Sequence, residues 1–316
     1  MSSWDGQGLL AWVRRTGKLL CCSGMSHGSS DSRYAAGVFV QSILCTADFS
    51  SNGMNAFAHA LMIAMNLRCE FTLLYGGKRR EPGHEWSNVP GVRDLLERWG
   101  YLEKGSPRSA VSERLAVDVK KIQATKENVL SALLDYLEKH PTDLVVMGAD
   151  GPDGAASWFR PSAPEKVIRN SHTMTLVVPA TCKGFVSPAT GGFTLKRVLV
   201  PVASRPDPQP AITYAFRTAV FSSEDVVHIS LLHVCSGASE VPRITAPERP
   251  YLSWEMLTRT GNVAEEILKT AEDLDCDLIV MATESEGGFR GALRGSVTQQ
   301  IVRSSRCPVL AVPVSA

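Results

Sequence analysis

The chain predicts an α/β fold: two tandem, doubly wound (Rossmann-like) parallel-sheet domains joined as an intrachain pseudo-dimer. Three observations predict it. The runs Asp143-Leu-Val-Val-Met-Gly148 and Asp277-Leu-Ile-Val-Met-Ala282 are apolar without alternation, as strands covered on both faces are. Strand-like and helix-like patterns alternate along the chain, the order that right-handed crossovers wind into a parallel sheet. Finally, a closing block occurs twice. Met147 and Met281, Pro161 and Gly295, and Pro179 and Pro313 are each separated by 134 residues, so the repeat needs no gap there and marks an internal duplication.

The elements follow in order. Ser42 to Asp48 reads as a first strand ending in an acidic residue. Phe49-Ser-Ser-Asn-Gly53 supplies capping side chains for a helix from Met54 to Leu67. Glu70 to Tyr75 is the second strand, and Val92 to Trp99 an amphipathic helix. Val117 to Ile122 is the third strand; Glu127 to His140 is a helix with Val129, Leu130, Leu133, Leu134 and Leu137 on its apolar stripe. The second half repeats the order with a strand from Lys196 to Val202, a helix from Pro210 to Phe221, a strand from Val226 to Val234 and a helix from Gly261 to Glu272. Met174 to Val178 and Pro308 to Val312 are last strands, expected at sheet edges and expected to pair antiparallel with each other.

The domain limits follow: an extension over 1–36, a first domain over 37–181, a linker over 182–195 punctuated by glycine and proline, and a second domain over 196–316. Asp48 and Ala203 are 155 residues apart, so the first half holds 21 extra residues, assigned to an insertion over 76–109 without which the core should close. In the extension, Arg14 and Arg15 follow the apolar run Gly8–Val13, the reverse of a secretory signal.

Composition narrows the function classes. The net charge of +1 gives no global field to recruit nucleic acid or an anionic membrane surface. Eight cysteines without a CxxC pair, several of them in strand-like runs, read as reduced thiols of a cytoplasmic protein. No HExxH, G-x-S-x-G or G-x4-GK[ST] motif is present, so metal, hydrolase and P-loop chemistry have no support.

Together, Ile43-Leu-Cys-Thr-Ala-Asp48, Leu73-Leu-Tyr75, Asp143-Leu-Val-Val-Met-Gly148, Leu231-Leu-His-Val234 and the closing block resemble the universal stress proteins in their tandem form. That resemblance implies a stress-response regulatory protein, no catalytic acid–base machinery and at most slow ATP hydrolysis. It also implies ATP or another adenine nucleotide as the small-molecule partner, held by an acidic residue ending the first strand and a loop of form G-x2-G-x9-G-[ST]. Carried over, it places a nucleotide site at Asp48, Tyr75, Met147, Gly148, Gly151 and Ser162. A secondary, degenerate site falls at Val234, Met281, Ser285, Gly295, Ser296 and Val297. A homodimer is also within the family's habit.

Each half departs from the pattern. Pro161 stands where the first loop should have glycine and offers no N–H. In the second half the acidic position is Ala203, and the first two loop glycines are Ala282 and Ser285. The alternative is therefore a scaffold of the same fold that binds no nucleotide and works through protein partners or apolar ligands.

Overall fold

The computed structural model describes residues 40–47, 53–76, 91–124, 129–149, 163–180, 182–222, 224, 226–235, 242–284 and 297–314. The N-terminal extension, Asp48, Gly151, Ser162, Ser285, Gly295 and Ser296 lie outside them.

The first half runs β1 (Ser42–Ala47), α1 (Gly53–Leu67), β2 (Glu70–Gly76), α2 (Val92–Arg98), α3 (Ala110–Leu115), β3 (Asp118–Ala124), α4 (Val129–Lys139), β4 (Leu144–Ala149), α5 (Ala163–Asn170) and β5 (Met174–Pro179). The second runs β6 (Arg197–Pro201), α6 (Gln209–Ala219), β7 (Val227–Cys235), β8 (Leu252–Thr260), α7 (Val263–Asp273), β9 (Leu278–Glu284), α8 (Val297–Ser304) and β10 (Val309–Val314). One ten-stranded sheet results, ordered β3-β2-β1-β4-β5-β10-β9-β6-β7-β8. All pairings are parallel except β5 with β10, which meet antiparallel at Val177↔Val309, Leu176↔Leu310 and Thr175↔Ala311. The two expected last strands thus join the halves, and each closes the other's open edge.

The duplication reaches single hydrogen bonds. Asp143, just before β4, accepts from the backbone of Gln41 and Ser42 through Oδ2 at 2.8 and 3.0 Å. Asp277, its counterpart before β9, accepts from Lys196 and Arg197 at 2.8 and 2.9 Å. Each aspartate fixes the start of its half's central strand, and such charge-assisted bonds are stronger than neutral ones.

Cores form on both sheet faces. Leu44, Leu74, Val145 and Met147 pack beneath α4 and α5, and Leu199, Leu232, Ile279 and Met281 form the matching layer in the second half. On α4 only Leu133 is fully buried; Val129, Leu130, Leu134 and Leu137 are half-buried against the same layer. The helix lies near the outer β3 end of the sheet, so its stripe is covered from one side only.

Three parts differ from the sequence reading. β8, a nine-residue strand, was not assigned there. The 182–195 segment is no tether: Phe185, Val186, Phe193 and Leu195 are buried, and Val186 bridges Phe193. It folds onto α1, where His59 Nε2 accepts from the backbone N–H groups of Phe185 and Val186 at 3.1 and 3.2 Å. Gly184, at φ +62°, passes so close that a Cβ there would lie 2.4 Å from that same nitrogen. The described part of the insertion, 91–109, finally, packs into the core. Leu95 and Leu96 of α2 are fully buried, and the Trp99 indole donates to the Pro188 carbonyl at 3.0 Å.

Candidate functional site

In an open α/β sheet the binding crevice lies at the carboxyl ends of strands, where neighbouring connections leave to opposite faces. Here that switch point is β1 and β4 in the first half and β6 and β9 in the second. Each crevice is built by register. Ala47 stands beside Tyr75, and Cys45 beside Val146, so β1, β2 and β4 end together. Asp48 follows Ala47 directly in the chain. Tyr75 is half-buried at the end of β2, and Gly148 is half-buried near the end of β4.

Gly148 is informative because nothing described requires a glycine there. Its backbone is extended strand, and among the described residues a Cβ would meet nothing nearer than the Ala56 methyl at 3.9 Å. A bare position beside a strand end lets a ligand approach the backbone closely. Met147 points the other way. It is fully buried among Leu44, Val145 and Val167, so its side chain is core and does not line an open surface.

Two buried polar atoms flank this crevice with no hydrogen-bond partner among the described residues, Thr46 Oγ1 near the end of β1 and Asn55 Oδ1 in the first turn of α1. Leaving such an atom unmatched costs about 1–3 kcal/mol. The Asn55 amide does use its other end, donating from Nδ2 to the Cys182 carbonyl at 2.8 Å. The neighbouring thiol of Cys182 is pushed up to about 12 by burial, so this thiol is not a reactive thiolate.

The second crevice is different. Ala203 is exposed and offers no acceptor side chain where the first half has Asp48. Met281 is core, and Val234 packs half-buried against the same layer. Val297 opens α8 and is half-buried against it too. Beside these lies a cleft of about 170 Å³ between α5, α8 and the end of β9, lined by Glu165, Arg169, Pro206, Glu284 and Thr298 among others.

The fold and these paired crevices define a tandem, doubly wound α/β protein, and comparison with known proteins gives the family. The model of the universal stress protein family matches residues 40–179 and 245–313; the chain belongs to that family. A universal stress protein of Methanothermobacter thermautotrophicus is 38% identical over 66 residues, 21% of this chain and 44% of the relative. One from Methanocaldococcus jannaschii is 42% identical over 52 residues, 16% of this chain and 31% of the relative. The chain therefore spans less than half the length of these curated relatives. The crystal structure of a universal stress protein from Archaeoglobus fulgidus superposes with a TM-score of 0.53 at 15% identity, covering 87% of this chain and 98% of that one. At that identity the likeness concerns the fold.

Sequence reasoning had no signal for His59 and the segment it holds, because a lone histidine on an apolar helix face looks like any core residue. Among the described residues no helix is long and apolar enough to cross a membrane.

Proposed function

We propose that this protein is a stress-response regulator that binds an adenine nucleotide in its first half. The base or ribose would donate to Asp48, and the phosphates would lie along the backbone from Gly148 through Gly151 to Ser162. The observation that carries the reading is the convergence of Tyr75, Gly148 and the chain leading into Asp48 at one switch point, with Gly148 bare toward α1. The second half is the poorer host, since Ala203, at the position of Asp48, cannot accept a hydrogen bond through its side chain. The second half then serves the site by closing the first half's edge through β10.

Among the described residues of the site nothing calls for chemistry on the nucleotide, and in this reading occupancy is the signal. Isothermal titration of ATP, ADP and AMP into the wild type and Asp48→Ala tests it. The expected result is saturable binding that weakens at least about tenfold in the variant, the worth of one lost charge-assisted hydrogen bond. Equal affinity in the two proteins, or no binding in either, would overturn the assignment and favour the scaffold alternative.

A further inference from the structure

The ten-stranded sheet has two outer strands, and they are built differently. β3 carries Lys120 and Lys121, the first paired with Glu70, and is flanked by α3 and α4. Charged lysines on an edge are a standard block to strand addition. β8 has no lysine; its central charge, Glu255, is held back toward β7 by the Ser230 hydroxyl, which donates to it at 2.5 Å, and its middle side chain, Met256, is 42% exposed.

The register shows which backbone groups of β8 are open. The Val227 N–H donates to the Tyr251 carbonyl at 2.9 Å, and Val227 is in register with Leu252. In a parallel ladder alternate residues turn both their N–H and C=O to the same neighbour. Ser253, Glu255, Leu257 and Arg259 therefore face β7, while Trp254, Met256, Thr258 and Thr260 present N–H and C=O outward, where no described strand lies.

We infer that β8 is a self-association edge: a second copy of this chain adds antiparallel through its own β8, with the twofold axis at Met256. That register pairs Met256 with itself and Trp254 with Thr258, residues whose open groups meet, and sets Leu252 against Thr260, where the Leu252 N–H already donates to the Arg249 carbonyl at 3.0 Å and its carbonyl alone is offered. On the other face it sets Glu255 against Leu257 and Ser253 against Arg259, so no like charges stand directly opposite. It buries both exposed methionines at once. The chain already uses this device internally, where β5 and β10, equivalent strands of the two halves, pair antiparallel.

The test is sedimentation equilibrium of the full chain from low micromolar to submillimolar concentration, on wild type, Met256→Lys and Met256→Pro. Proline at 256 removes an outward donor and leaves the bonds to β7 intact, so circular dichroism and melting should match the wild type. Lysine keeps the backbone and blocks the edge, which covers the case where proline disturbs the strand. The expected result is a reversible dimer, weakened at least about tenfold by either change, with Trp254, Met256 and Thr258 amides protected from exchange only as concentration rises. A wild type monomeric throughout, or a dimer indifferent to both substitutions, would overturn the inference. Concentration-independent protection of those amides in a monomer would also overturn it, pointing to a segment of the same chain as the occupant.

Discussion

Arg303 on α8 reaches across the boundary between halves to Glu165 on α5, its Nη2 donating to Glu165 Oε2 at 2.9 Å while Nε donates to Oε1. The fork is matched to the carboxylate, and the Glu165 side chain is 4% exposed against 56% for Arg303. The duplication offset gives a second pair of positions, Arg169 and Gln299, where glutamine replaces the acid. Only one of two pseudo-symmetric ion pairs exists, so the interface is directional.

Removing Arg303 leaves a nearly buried carboxylate without its cation. Because Arg303 itself is solvated, the cost should fall below that of a fully buried pair, at about 1–2 kcal/mol for Arg303→Ala. Glu165→Gln in the Arg303→Ala background should recover part of it, since no charge is then stranded. Urea denaturation of the two single variants and the double variant measures this. An Arg303→Ala midpoint unchanged from wild type would show that the pair contributes nothing to joining the halves.

His59 makes stability depend on acid. Its ring is fully buried, and burial lowers its pKa from 6.5 to about 4, against the opposing hydrogen bond with the Asn55 carbonyl. Nε2 accepts two backbone N–H bonds, which a proton there would abolish. Between pH 4 and 6.5 the unfolded chain binds more protons than the folded one, so stability rises with pH across that window. It is fully present above about 6.5, falls as pH drops, and has lost about 3 kcal/mol near pH 4. Urea midpoints at pH 7 and near pH 4.5 should separate in the wild type and separate less in His59→Leu. Equal separations in the two proteins would mean that another group carries the acid sensitivity.

The fold was legible in the sequence where one physical rule dominated. Unalternating runs such as Leu278–Met281 had to be strands buried on both faces, and a gapless repeat had to put Met174–Val178 and Pro308–Val312 at equivalent edges. β8 was illegible because Leu252–Thr260 is a strand with one neighbour and much of its length in water, so Ser253, Glu255 and Arg259 break the apolar signal. The 182–195 segment hid for another reason. Its glycines and prolines mark turns, but nothing local says that Phe185 and Val186 will dock on a histidine 126 residues earlier. At the site, the positions were readable from the repeat. Orientation was not: Met147 and Gly148 are neighbours, and the pleat sends one into the core and the other toward α1.

Residue count and packing pull in opposite directions at the insertion. The 21-residue surplus marks it as dispensable to the repeat, yet Leu95 and Leu96 are fully buried. Truncating either to alanine should cost about 2–5 kcal/mol, whereas Tyr101→Ala, at a side chain 43% exposed, should cost far less. Thermal melts rank the three. Leu95→Ala and Leu96→Ala melting with the wild type would restore the view that the core closes without this segment.

The seam between β5 and β10 decides whether the protein unfolds as one body. The Ile279 N–H donates to the Pro308 carbonyl at 2.9 Å, so on β10 the alternate residues Leu310 and Val312 face β9. Val309 and Ala311 therefore turn their N–H and C=O to β5, opposite Val177 and Thr175. The strands flanking the seam are buried on both faces, with Thr175 fully inaccessible, and Arg303 ties α8 to α5 above it. Breaking the seam would expose two apolar edges together, which favours a single cooperative transition. Calorimetry of the wild type should give a van't Hoff enthalpy close to the calorimetric one. Ala311→Pro removes a donor to β5 and spares the ladder to β9, so it should lower the transition and split it in two. Two resolved transitions in the wild type would show instead that the halves unfold independently and that the antiparallel pairing adds little to either.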